Sequence, residues 1–313
     1  MKSISPVLFV LASLTCFLLF SESNAGTFTA HNIFHENISR SYIKFVPSGI
    51  DGPVPLVFAL HGGNGSAAKM AGPGSPWREL TVLAERDKFI VVYPNGLNGW
   101  NDCRSDDLLG STADDVGFID ALITTISSEH TINPRRVYAT GTSNGGMMSW
   151  RLAFELSNRI AAVAPNIANL PVDPVGECRS VPDRPISVAF MIGDQDSLMP
   201  FEGGVVAYNP QRGTVQSVQA TLDFWKNFLS TATQPVATVL PNLNQDDSSI
   251  VIKYEYRSLI TNRINLTYYR VYGGGHTTPS VSFPITAFGT GSQNRDVETV
   301  NAFWNFMRTK LLQ

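Results

Sequence analysis

Only three cysteines stand in the 313 residues. That is too few for a fold stapled by a disulfide framework, and no His, Cys, Asp or Glu spacing suits a metal ion. Charge is sparse as well. Lys, Arg, Asp and Glu make up 16% of the chain and the formal net charge is −3. No basic surplus exists to attract nucleic acid or an anionic membrane surface. Internal repeats, low-complexity tracts and Ser/Thr/Pro-rich linkers are missing, which argues against a separate binding module. Long apolar runs are missing with one exception, residues 7–20 (VLFVLASLTCFLLF), and this run is short for a membrane span.

That run follows the basic start Met1-Lys2. It precedes Ser21-Glu22-Ser23-Asn24-Ala25, with Ser23 and Ala25 as the small residues at −3 and −1 of a cleavage point. This pattern predicts a secretory signal peptide over residues 1–25 and one domain over 26–313, secreted to the outside or to a periplasm, without membrane attachment after cleavage. Cys16 follows Thr15 inside the run instead of ending it after a small residue, so lipid attachment is not expected. An exported chain that keeps Cys103 and Cys178 suggests one disulfide, tying the loop after Trp100-Asn101 to the segment before residue 186. Asn37, Asn64 and Asn265 head N-x-S/T triplets, which carry glycans only in a host that glycosylates.

The remaining sequence has 43% hydrophobic residues, ordinary for a large core. Residues 54–60 (VPLVFAL) and 89–93 (FIVVY) are continuous apolar runs, as expected of strands buried on both faces. Residues 137–140, 160–164 and 186–192 read the same way. Helices are predicted over 77–86, 114–123, 147–156, 214–229 and 296–312, the last with Asp296 as N-cap. An antiparallel pair opens the chain around 33–34 and 41–46, with His31 and His35 as surface strand residues. Strands over 249–256 and 265–272 meet at a turn near Thr261-Asn262. Alternation of this kind predicts an α/β fold with a mostly parallel central sheet flanked by helices.

One stretch organises the chemistry. A strand ends at Thr140, Gly141-Thr142-Ser143-Asn144-Gly145 follows, and a helix of strong formers begins. G-x-S-x-G arises by chance in about one chain of this composition in five or six. Strand, sharp turn and helix are the setting of a nucleophile elbow, with Ser143 raised above the sheet edge and glycines where a Cβ would strike a neighbouring element. The backbone N–H of Asn144 would then point at a developing oxyanion. The run 54–60 leads into His61-Gly62-Gly63-Asn64-Gly65-Ser66, where Gly62 or Gly63 would supply the second donor. His61 precedes that loop and is expected to be structural. Trp100, on a Gly/Asn loop, would either line a substrate cleft or plug a gap. Trp225 is expected to pack in the core.

Ligands of such sheets bind outside the carboxyl ends of the strands. Three reactive groups fall there: Ser143, an Asp of the 194–196 loop, and His276 after Gly273-Gly274-Gly275. Their order, Ser…Asp…His, is that of α/β-hydrolases. Serine is a weak nucleophile until a base takes its proton, and the carboxylate fixes the base's tautomer. No cofactor is needed.

His61-Gly62-Gly63, Gly99-Trp100-Asn101, Asp114 to Phe118, Arg135 to Tyr138, Gly141 to Met148, Gly193 to Phe201 and Gly273 to Pro279 together resemble the polyhydroxybutyrate depolymerase and feruloyl esterase family of secreted α/β-hydrolases. The likeness covers most of residues 50–310. It implies Asp196 as the acid, in a stretch similar to H-G-x-x-D-x-x-V-P-Y in which Ile192, Met199 and Phe201 replace His, Val and Tyr. It also implies the Cys103–Cys178 bridge. Thr278 stands where the family's G-G-G-H-x-W-P has Trp, which would alter the substrate wall beside His276. The resulting expectation is a monomeric secreted serine esterase cleaving feruloyl or acetyl esters of plant polysaccharide. A polyester or hydroxybutyrate-oligomer hydrolase, an acyltransferase on the same scaffold, or a non-catalytic binding module are the alternatives.

Overall fold

The computed structural model describes residues 25–104, 107, 110–172, 178–206, 212–261, 263–285 and 290–313. Residues 1–24 of the expected signal peptide, with its run 7–20 and Cys16, lie outside the described residues, as does Asn262 of the expected turn.

Ten strands form one sheet in the order β1-β2-β4-β3-β5-β6-β7-β12-β11-β10. They are β1 (Thr27–His35), β2 (Ile38–Val46), β3 (Val54–Leu60), β4 (Ile90–Pro94), β5 (Ile132–Thr142), β6 (Ala162–Asn166), β7 (Ser187–Gly193), β10 (Val236–Val239), β11 (Ile250–Arg257) and β12 (Asn265–Tyr272). A two-stranded ribbon of β8 (Gly204–Val205) and β9 (Thr214–Val215) stands apart. Neighbours from β4 through β3, β5, β6 and β7 to β12 pair in parallel, while β1-β2 and β10-β11 add antiparallel edges. This is the mostly parallel sheet that the alternation of apolar runs predicts.

The helices are α1 (Ala67–Ala71), α2 (Glu79–Asp87), α3 (Asp115–Glu129), α4 (Asn144–Glu155), α5 (Val218–Phe228) and α6 (Thr299–Met307). Strand side chains alternate between faces. Leu56, Phe58 and Leu60 of β3 therefore pack with Phe118 of α3, Trp150 of α4 and Trp225 of α5. Val57 and Ala59 pack on the other side with Met70 of α1, Leu80 of α2 and Trp304 of α6. Trp225 is fully buried, stacked between Trp150 and Phe154.

Two expectations need correction. The helix expected from 214 begins at Val218, capped by Ser217. Val215 is buried as a strand residue, so its helical spacing to Val218 is fortuitous. The last helix begins at Thr299, not Asp296. Asp296 instead accepts backbone N–H groups from Leu243 (2.7 Å) and Asn244 (2.9 Å), holding the segment that leads into β11. Edge strand β10 has no counterpart in the expected elements, because all four of its residues are exposed and it lacks the alternation of a half-buried strand.

Candidate active site

Five carboxyl ends of the parallel strands converge. After β5 the chain turns through Ser143, whose φ of 54° and ψ of −121° lie outside the usual regions for a residue with a side chain. The turn is held because the Ser143 N–H donates to the Asn166 carbonyl at the end of β6, at 3.0 Å. It closes tightly. A Cβ on Gly141 would overlap the Gly145 carbonyl, and one on Gly145 would overlap the carbonyls of Leu60 and His61. Both glycines of the elbow are thus required by close approach of backbone.

His276 reaches the same point from β12. A Cβ on Gly275 would meet Thr290 and Gly291, and Gly274 packs directly on Gly193 at the end of β7. Only bare backbone lets the two loops touch. His276 Nε2 lies 2.9 Å from Ser143 Oγ, and its Nδ1 lies 2.8 Å from Asp196 Oδ2. A carboxylate only accepts, so Nδ1 carries the proton and Nε2 is left to accept from the serine hydroxyl. The other oxygen of Asp196 accepts the N–H groups of Leu198 (2.9 Å) and Met199 (2.7 Å), and its side chain is fully buried. Asp194 points elsewhere. It accepts from Arg270 at 3.0 Å and from the Gly273 N–H at 2.8 Å, bracing the root of the His276 loop.

The loop after β3 lies across from the serine. Its start is fixed by His61, buried under the loop. His61 Nε2 accepts the Gly96 N–H at 3.0 Å, so Nδ1 holds the ring proton and donates to the Gly62 carbonyl at 2.8 Å. Burial pushes the His61 pKa below its ordinary value, with the Gly62 bond opposing. A Cβ on Gly62 would lie 3.5 Å from that of Ser143, and one on Gly63 would lie 4.0 Å from that of Asn144. These glycines line one cleft of about 520 Å³ together with Ser143, His276, Thr278 and Arg212.

No family model matches the sequence. Among curated proteins, the chain is 28% identical over 274 residues to the "Putative esterase NocK" of Nocardia uniformis subsp. tsuyamanensis, covering 81% of this chain and 74% of that one. It is 31% identical over 175 residues to feruloyl esterase C of Emericella nidulans, covering 54% of this chain and 60% of the relative. The chain thus matches less than two thirds of that feruloyl esterase's length. The acetyl xylan esterase of Aspergillus awamori shares the fold at a TM-score of 0.57 over 90% of this chain and 99% of the other, at 15% identity. The chain is similar to these esterases in sequence and to the acetyl xylan esterase in fold.

Trp100 is not a cleft residue. It is 1% exposed, and its indole N–H donates to the His61 carbonyl at 2.8 Å. It fills the gap behind the loop of Gly62 and Gly63, the second of the two roles open to it. The Asn144 side chain clamps the Trp100 backbone from the other side, accepting its N–H at 2.8 Å and donating to its carbonyl at 3.0 Å. Thr278 does line the cleft, and its hydroxyl takes a hydrogen bond from Asn166 at 3.0 Å. Asn166 therefore links elbow and histidine loop. Nothing in its sequence context signals that role, because the partners are distant in the chain. The Cys103–Cys178 disulfide is present. Among the described residues no helix is long and apolar enough to cross a membrane.

Proposed function

We propose that the chain is a secreted serine esterase working through an acyl-enzyme, with residues 26–313 as one catalytic domain acting as a monomer. The single observation that carries the reading is the unbroken hydrogen-bonded series Ser143–His276–Asp196, at 2.9 and 2.8 Å, opening on a cleft. Ser143 Oγ attacks the ester carbonyl while His276 Nε2 takes its proton. Buried Asp196 stabilises the imidazolium. The Asn144 N–H and a donor from Gly62 or Gly63 hold the oxyanion. Collapse breaks the ester C–O bond, and His276 returns the proton to the departing alcohol. Water, deprotonated by His276, then releases the acid and regenerates Ser143.

The substrates proposed first are feruloyl or acetyl esters on plant polysaccharide, supported by the feruloyl and acetyl xylan esterases among the similar proteins. Hydroxybutyrate oligomers are the second class, favoured by Thr278, a small side chain beside His276 on the cleft wall. Export is supported by the signal-like start and the disulfide.

The test is hydrolysis of methyl ferulate and of a 3-hydroxybutyrate oligomer by the mature protein and by Ser143→Ala. Activity should fall at least about a thousandfold in the variant, and the ratio of the two rates chooses the substrate class. Undiminished activity in Ser143→Ala would remove the elbow from the mechanism. Inert wild-type protein would favour a binding module.

A further inference from the structure

The cleft carries a fixed positive charge that ester hydrolysis does not need. Among its described lining residues the ionisable side chains are His276 and Arg212. A Cβ on Gly63 would stand 3.1 Å from an Arg212 terminal nitrogen, so the guanidinium lies against the proposed oxyanion loop. Its counter-charges stand behind it. Asp107 lies 4.0 Å from Arg212 Nε, but it is 5% exposed against 26% for Arg212. Asp107 is also held by Arg104 at 2.9 Å, and Arg104 pairs with buried Asp102 at 2.9 Å as well. The Arg212 carbonyl in turn accepts from Arg104. The cluster therefore fixes the Arg212 backbone from behind and turns its cationic end to the cleft. The Asp196 carboxylate behind His276 is fully buried and occupied by His276 and two backbone N–H groups, so it offers nothing to a substrate.

A guanidinium held at a concave site, next to the reacting carbonyl, matches a carboxylate in shape and charge. We propose that Arg212 makes this cleft select esters that bear a free carboxylate close to the scissile bond. The inference rests on the serine-esterase reading and narrows its substrate class. Such a carboxylate occurs at the acid end of a hydroxyacid oligomer and on an acidic sugar beside an esterified one, and equally on the acyl half of a dicarboxylic hemiester.

Two ester pairs test it by initial rates at low ionic strength. The 3-hydroxybutyrate dimer as free acid against its methyl ester places the carboxylate on the alcohol side. Monoethyl adipate against ethyl hexanoate places it on the acyl side. In wild type the charged member of one pair should exceed its neutral partner about tenfold in kcat/KM, carried by KM, and that pair identifies the side. The ratio should collapse toward unity in Arg212→Gln, persist in part in Arg212→Lys, and shrink as salt is raised on the wild-type protein. The salt series reads the ratio even if Arg212→Gln fails to fold. No charge preference in either pair, a preference indifferent to salt, or equal losses for charged and neutral esters in Arg212→Gln would overturn the proposal. Ser143→Ala keeps the two readings apart. Loss of all hydrolysis in that variant without a charge preference in wild type removes only the Arg212 role. Persisting hydrolysis removes the underlying mechanism.

Discussion

Ser143 combines a φ of 54° with a ψ of −121°, outside the left-handed region that a turn serine such as Ser248 occupies at φ 57° and ψ 27°. A positive φ costs a residue with a side chain about 1–3 kcal/mol, and here the cost is offset by the Asn166 bond and the close packing of Gly141 on Gly145. The strain lifts Oγ to His276. The two nearby carboxylates then divide by geometry. Both sit in one loop, yet Asp196 faces the imidazole and Asp194 faces Arg270 and the Gly273 N–H. Their amide variants should separate accordingly. Asp196→Asn offers an amide that no longer fixes the tautomer, and kcat should fall about a thousandfold or more with the fold intact. Asp194→Asn should cost mainly stability, seen as a lower denaturation midpoint, with a much smaller loss in kcat. Steady-state kinetics and urea melts on both variants check this. Equal kcat losses would mean that Asp194 acts on the histidine as well.

At the scale of elements, the loop of Gly62 and Gly63 owes its place to a neutral histidine. His61 accepts from Gly96 and donates to Gly62, an arrangement only the uncharged ring can make. Its pKa is lowered in the folded protein, first by burial, from an ordinary 6.5. The unfolded chain therefore binds a proton below about pH 6.5 that the folded protein refuses, and stability from this group is lost as pH falls through that range. The melting temperature should drop between about pH 7 and pH 5, and the drop should be smaller in His61→Gln, which cannot titrate. Parallel curves for the two proteins would show that His61 is not the group responsible. The sequence carries this loop's position but not its support. The apolar run of β3 and the glycines after it mark a strand end, and the elbow is legible because strand, glycines and helix are contiguous. Asn166, Arg212 and the burial of Trp100 were not legible, since each depends on a partner dozens of residues away. Local spacing also misled at Val215 and Asp296, where a helical period and an N-cap residue serve a strand and a loop anchor instead.

Across the whole molecule, the loop that carries Trp100 is tied both by hydrogen bonds and by a covalent bond. Asn101 N–H donates to buried Asp115 at 2.7 Å, itself paired with Arg40, and the Cys103–Cys178 bond spans a separation of 75 residues. Closing a loop of that length in the unfolded chain removes entropy equivalent to about 4.5 kcal/mol in the chain-entropy picture, while natural bridges contribute about 2–5 kcal/mol. Between the two cysteines lie α3, β5, α4 and β6, so the constraint encloses the elbow itself. The paired substitution Cys103→Ser with Cys178→Ser should therefore lower unfolding free energy by about 2–4 kcal/mol. A reductant should lower the wild-type melting temperature and leave that of the double variant unmoved. The noncovalent ties at Asn101 and Asn144 persist without the bond, so activity at low temperature should survive in part while resistance to heat is lost. A double variant as stable as the parent would mean that the buried Arg40–Asp115 pair and the Asn144 clamp already hold the loop, leaving the disulfide without thermodynamic effect.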